Sequence, residues 1–123
     1  MTLDHVNTVI VGGGQAGLAM SAHLSEQGID HLVIERDRIA ERWRTARWDS
    51  LVANGPAWHD RFPMLEFEDC DGDGFPTRDS VVRYFETVAE RIDAPVRCGV
   101  EVTRAARLSS GRGFRIETSE GVV

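Results

Sequence analysis

The sequence predicts an α/β fold built on a parallel sheet, and observations near the start of the chain carry that expectation. Val9-Ile10-Val11 is a continuous β-branched run, the pattern of a strand buried on both faces of a parallel sheet. Gly12-x-Gly14-x-x-Gly17 follows it directly and opens a segment of helical character. A second apolar run, Leu32-Val33-Ile34, comes after that helix. Strand, glycine turn, helix and strand in this order make a Rossmann-type unit.

The elements read in sequence as follows. Residues 16–27 form a helix with Leu18, Ala22 and Leu24 among its apolar positions and Gly28 as its stop. The second strand ends at Glu35. From residue 36 to residue 76 the periodicity fades, in a stretch that holds Trp43, Trp48 and Trp58 and three of the four prolines. A connection that long is uncommon in a compact domain and is often functional. Helix returns after Pro76, with Thr77 as N-cap and Val81, Phe85, Val88 and Ile92 on one face. Beyond Pro95, the alternation of Val96, Cys98, Val100 and Val102 predicts one strand. After a turn at 109–113, Phe114, Ile116 and Thr118 predict another. The whole is expected to be an incomplete Rossmann-type parallel sheet with part of an antiparallel β-meander, a single domain over residues 1–123.

Composition limits the function. Hydrophobic residues at 41% and charged residues at 28% are those of a globular chain. A formal net charge of −6 gives no electrostatic reason to bind nucleic acid or an anionic membrane, which leaves a small molecule as the expected partner. Its site must then supply a local positive field. The start, Met1-Thr2-Leu3-Asp4-His5, has no basic leader region, and no segment reaches the roughly 18 apolar residues of a membrane span. Cys70 and Cys98 have no dithiol spacing, and the expectation is a reduced, cytoplasmic protein.

The glycines define the chemistry. Gly12 permits a tight turn, Gly14 lets the backbone approach a pyrophosphate, and Gly17 lets helix and strand pack closely. The N–H groups around Gln15 and Ala16, with the helix dipole, then bind the phosphate anion. Glu35 ends the second strand and can accept hydrogen bonds from both hydroxyls of an adenosine ribose. A carboxylate there repels a 2′-phosphate, although the adjacent Arg36 could contact one. Leu18-Ala19 after Gly17 excludes a P-loop, which needs Lys-Ser/Thr. These residues alone leave both FAD and NAD open.

The following segment narrows the choice by resemblance. Glu35-Arg36, Ala40-Glu41-Arg42-Trp43-Arg44 and Arg47-Trp48-Asp49-Ser50-Leu51 resemble the flavin-containing monooxygenases and their bacterial NAD(P)/FAD-dependent relatives. Phe75-Pro76-Thr77-Arg78-Asp79 and Ala94-Pro95-Val96-Arg97, entering Gly99-Val100-Glu101-Val102, continue the likeness over nearly the whole chain. The resemblance implies that the first glycine fingerprint holds FAD, while NAD(P)H reduces the flavin from a second site in the full-length parent. By position it assigns Gly12, Gly14, Gln15, Ala16 and Gly17 to the FAD pyrophosphate and Glu35 and Arg36 to the ribose end. It places Trp43 and Arg44 along the FAD, Asn54 near the flavin ring and Val102 beside the adenine. Two departures stand out. Ala40-Glu41 replaces the Gly-Gly common before the tryptophan, and the second fingerprint is absent, so the chain is expected to be the N-terminal portion of a larger flavoprotein.

Other motifs carry less. Asp69-x-Asp71-x-Asp73-Gly74 imitates a calcium loop but has Ser80 at the twelfth position, where glutamate is needed. His5, His23, His31 and His59 have no ligand spacing, and no metal is expected; His59-Asp60 could suggest an acid–base pair, but neighbours in sequence need not interact. The cysteine spacing disfavours a disulfide reductase. Two alternatives to the flavoprotein are an NAD-binding dehydrogenase domain and a dinucleotide module without its own catalysis. Truncation is expected to leave apolar surface exposed and to favour self-association.

Overall fold

A computed structural model describes residues 5–45 and 74–122. Strands β1 (Thr8–Val11) and β2 (His31–Glu35) pair in parallel, with Val9 opposite Leu32 and Val11 opposite Ile34. A parallel pair requires a crossover, and helix α1 (Gln15–Glu26) supplies it. On the other side of β2, β3 (Val96–Cys98) adds in parallel, giving the order β1-β2-β3. The expected α/β class with a Rossmann-type sheet is therefore present.

One detail differs. β2 is the central strand and residues 31–34 are buried, but β1 is half-buried and Val11 is 63% exposed. Among the described residues β1 pairs on one side alone. A β-branched run records that a strand suits a buried position; the burial itself is set by its neighbours.

Two clusters lie on the two faces of this sheet. Leu18 of α1, Ala40, and Val81, Val82, Tyr84, Phe85 and Val88 form one, with Ile39 and Trp43 packed against it. These come from α1, from the short helix α2 (Glu41–Thr45) with its approach, and from α3 (Arg78–Arg91). Thr77 caps α3 as expected, its hydroxyl accepting from the Ser80 N–H at 3.2 Å. The second cluster is Leu32, Ile34, Val100 and Ile116. Alternation along β2 puts Val33 on the opposite face from Leu32 and Ile34, and Val33 is fully buried.

The strand expected from Val96 to Val102 is two strands in two sheets. β3 stops at Cys98, and Gly99 turns the chain at φ +73°, a conformation that L side chains rarely adopt. The Gly99 and Val100 N–H groups then bond the carbonyls of Asp37 and Glu35. β4 (Val102–Arg107) starts afresh and pairs antiparallel with β5 (Phe114–Thr118), which pairs with β6 (Gly121–Val122). Apolar alternation survives across the break because Val100 and Ile116 cover the same face of β2. The pattern alone therefore could not show the turn.

His31 ties α1 to the sheet. Its Nδ1 lies 2.9 Å from the Ile29 carbonyl oxygen and its Nε2 lies 2.7 Å from the Ser21 hydroxyl. A carbonyl only accepts, so Nδ1 carries the proton, and in the neutral ring Nε2 accepts from Ser21. Both side chains are buried. Ser21→Ala is expected to leave Nε2 unsatisfied and cost about 1–3 kcal/mol in urea unfolding, more than a surface serine substitution.

Candidate nucleotide-binding site

The glycine turn sits at the carboxyl ends of β1 and β2. Gly12 has φ +104° and its N–H donates to the Ile34 carbonyl at 2.8 Å, so the turn leaves the sheet with its last backbone bond made. Gly17 lies against that turn. A Cβ there would run into the Gly12 carbonyl oxygen and meet Ile10 Cγ2 at 3.4 Å. Gly14 is the opposite case, since a Cβ at that position would have nothing within 4 Å. Gly14 is the N-cap of α1, with no side-chain cap bond and no acidic residue in the first turn. Gly14, Gln15 and Ala16 are exposed, and the amides of a first helical turn have no intrahelical acceptor. Open donors and the positive end of a 12-residue helix are what a candidate anion site requires.

Glu35 borders this turn. Its Oε1 accepts from the Gly13 N–H at 2.8 Å and its Oε2 from the Asp37 N–H at 2.7 Å. A carboxylate offers about four lone-pair positions, so acceptor capacity remains at both oxygens. Gly13, a variable position of the fingerprint, proves to be part of the device. It is buried, and a Cβ on it would lie 3.1 Å from Ile39 Cδ1 and 3.3 Å from Glu35 Cβ. The sequence signal was the unbroken Gly12-Gly13-Gly14 run.

The structure brings Gly12, Gly14, Gln15, Ala16, Gly17 and Glu35 around one turn. Arg36 is exposed, with its Nε 3.3 Å from Asp37 Oδ2. Trp43 and Arg44 are linked to the turn through Ile39, which abuts Gly13 and whose carbonyl accepts from Arg44 Nε at 3.2 Å. Trp43 packs on the helical cluster, and an Arg44 Nη lies 2.8 Å from Glu86 Oε1 on α3. Beside them, two hydrogen bonds from Arg38, at 2.7 and 3.2 Å, hold the Glu41 carboxyl below its ordinary range. Val102 is half-buried against the Leu32–Ile34 cluster at the start of β4.

Asn54 lies outside the described residues, as do Trp48, Trp58, His59-Asp60, Cys70 and the aspartates of the calcium-like loop. Among the described residues Cys98 is a free, exposed thiol, and no group of three His, Cys, Asp or Glu side chains could hold a metal. No helix among them is long and apolar enough to cross a membrane.

Gly13→Ala and Gly17→Ala separate two functions of the turn. Gly17→Ala meets backbone and is expected to destabilise the chain by about 3 kcal/mol or more in urea unfolding. Gly13→Ala meets the flexible end of Ile39 and the stem of Glu35 at 3.1–3.4 Å rather than backbone, so it is expected to cost about 1–2 kcal/mol while shifting the Glu35 carboxylate. Equal losses at the two positions would contradict this assignment.

The description of one protein family, pyridine nucleotide-disulphide oxidoreductase, matches residues 9–123. An uncharacterized CzcO-like oxidoreductase of Geobacillus kaustophilus is 31% identical over 117 residues, covering 94% of this chain and 32% of that protein. The probable indole-3-pyruvate monooxygenase YUCCA1 of Arabidopsis thaliana is 33% identical over 113 residues, covering 91% and 27% respectively. Among solved structures, the flavin-containing monooxygenase of Stenotrophomonas maltophilia has a TM-score of 0.82 at 24% identity, over 97% of this chain and 35% of that one. The bacillithiol disulfide reductase of Staphylococcus aureus has a TM-score of 0.83 at 22% identity, over 95% and 35%. These likenesses establish the fold, and the chain spans about a third or less of the relatives' length. With the family description matching from β1 onward, the chain belongs to the pyridine nucleotide-disulphide oxidoreductase family.

Proposed function

We propose that this chain is the FAD-binding portion, over residues 1–123, of a flavoprotein monooxygenase or oxidoreductase that takes its electrons from NAD(P)H. The observation that carries the reading is the Glu35 carboxylate, fixed by the Gly13 and Asp37 N–H groups beside the open N-terminus of α1. That arrangement fits an adenosine diphosphate. The first turn of α1, at Gly14, Gln15, Ala16 and Gly17, takes the pyrophosphate while Gly12 shapes the bend. Glu35 takes the ribose hydroxyls through its remaining lone pairs. Arg36, Trp43, Arg44 and Val102 border the same cofactor, and the family resemblance assigns Asn54 to the flavin ring. When bound, the flavin supplies the redox chemistry; the residues described here bind and orient its nucleotide end.

FAD is preferred to NAD because the likeness to flavin monooxygenases runs through the Trp43 to Pro76 region, beyond what an NAD site uses. A monooxygenase is preferred to a disulfide reductase with its dithiol in this portion, because the two cysteines within residues 1–123 lack dithiol spacing. The same reading places the protein in the cytoplasm with a small-molecule substrate and no nucleic-acid partner.

The test is an absorbance spectrum after reconstitution with FAD and desalting. Bands near roughly 370 and 450 nm are expected, as for flavin itself. Glu35→Gln, which keeps the shape but loses the charge, is expected to weaken FAD binding by about tenfold or more. A colourless protein that still holds ADP-ribose would move the assignment to NAD.

This chain by itself also exposes Val11, Met20, Phe75 and Phe114, each more than half accessible. Self-association is expected from such surface. Gel filtration with light scattering would contradict that by showing one monomer across the concentration range.

A further inference from the structure

Ile39 belongs to none of the motifs read from the sequence, yet its side chain reaches the glycine turn. A Cβ on Gly13 would lie 3.1 Å from Ile39 Cδ1, 3.3 Å from Glu35 Cβ and 3.4 Å from Glu35 Cγ. Gly13 is buried, so it sits in a slot walled by the Glu35 stem and the end of Ile39. From this geometry we infer that Ile39 is a positioning residue for Glu35. Through that carboxylate it sets how strongly the site rejects an adenosine nucleotide carrying a 2′-phosphate. This rests on the nucleotide reading proposed above and adds to it a residue that acts on specificity.

Three observations support that role. The carboxylate is bonded by the Gly13 and Asp37 N–H groups, and only a turn of its stem can carry it elsewhere. Ile39 Cδ1 fills space beside that stem, and side chains keep their rotamers where packing closes the alternatives. Secondly, Ile39 is itself anchored. Its side chain packs on the Leu18–Val88 cluster, and its carbonyl accepts from Arg44 Nε at 3.2 Å. On one side the Asp37 carbonyl accepts from the Gly99 N–H at 3.2 Å; on the other the Ala40 carbonyl accepts from the Trp43 and Arg44 N–H groups. The loop that carries Ile39 is therefore pinned at both ends rather than free to follow Glu35. Finally, repulsion of a 2′-phosphate falls as the two charges separate, so rejection depends on a carboxylate that stays in place. Specificity is a difference between two affinities, and a residue that fixes this carboxylate acts on one nucleotide more than on the other.

Ile39→Val tests this, since it removes Cδ1 alone and keeps the branched stem. The first measurement needs no ligand and follows amide hydrogen exchange in the 123-residue chain labelled with ¹⁵N. The Gly13 N–H, bonded to Glu35, is expected to exchange about tenfold faster in the variant, while the Gly12 N–H, bonded to the Ile34 carbonyl, keeps its rate. Equal acceleration at both glycines is the mark of a general loss of stability and would overturn the inference. The second measurement is calorimetric titration with ADP-ribose and with its 2′-phosphorylated form. The parent chain is expected to prefer ADP-ribose about a hundredfold, and Ile39→Val to cut that preference about tenfold. Adding Ile39→Val to Gly13→Ala makes room for the new methyl, so the double variant should bind ADP-ribose more tightly than Gly13→Ala alone. An unchanged preference in an Ile39→Val chain that still binds ADP-ribose would overturn the inference and leave the nucleotide reading standing. A parent chain that binds neither ligand would remove both.

Discussion

The Glu35 carboxylate is where three stretches of backbone are made to agree. It ends the central strand, bonds the Gly13 N–H in the turn after β1, and bonds the Asp37 N–H in the chain leaving β2. Its own carbonyl accepts from Val100, which fixes the path between β3 and β4. Charge-assisted hydrogen bonds of this kind contribute about 1.5–3 kcal/mol each, so the geometry at the sheet edge is set before any ligand arrives. The same contacts require small residues nearby. Gly13 leaves room for the Glu35 stem and Ile39, and Gly17 lets α1 settle onto the Gly12 carbonyl.

From that edge the constraint passes to the helical layer through Ile39. This residue abuts Gly13, packs with the Leu18–Val88 cluster, and offers its carbonyl to Arg44. Arg44 continues to Glu86 on α3. The glycine turn and the α2–α3 junction are therefore connected by one side chain and two polar contacts. Ala40, next to Ile39, has φ +62° and is buried. A non-glycine residue in that region costs about 1 kcal/mol, offset here by burial in the cluster. Its position corresponds to the departure from the Gly-Gly pattern noted in the sequence, where glycine would adopt the same conformation without strain.

Much of this was legible in the sequence because local chemistry dictated it. Thr77 before an amphipathic run marks a helix start wherever it occurs, and a glycine triplet between a strand and a helix has few other uses. What escaped was non-local. The exposure of β1 depends on a neighbour that no feature of Val9-Ile10-Val11 encodes. The break at Gly99 was masked because Val96, Val100 and Val102 keep their alternation while changing sheets. Gly13 was hidden by convention, since the fingerprint leaves that position open and only residues far along the chain, the Glu35 stem and Ile39, make it demanding. The partnership of Arg44 with Glu86 joins residues 42 apart and was invisible for the same reason.

The fixed carboxylate also bears on which nucleotide can use the turn. A 2′-phosphate beside Glu35 would put like charges within about 4 Å, an interaction on the order of 4 kcal/mol at the effective dielectric of a partly exposed site. Reorienting the side chain would not relieve it without breaking the bonds from Gly13 and Asp37. Arg36 offers little compensation, since it is 61% exposed along its side chain and already faces Asp37. If the turn takes an adenosine nucleotide as proposed, the two backbone N–H groups would disfavour a phosphorylated ribose as much as the glutamate they hold. On the proposed reading, a glutamate free to swing away would tolerate either nucleotide, and one bonded at both oxygens would disfavour the phosphorylated one.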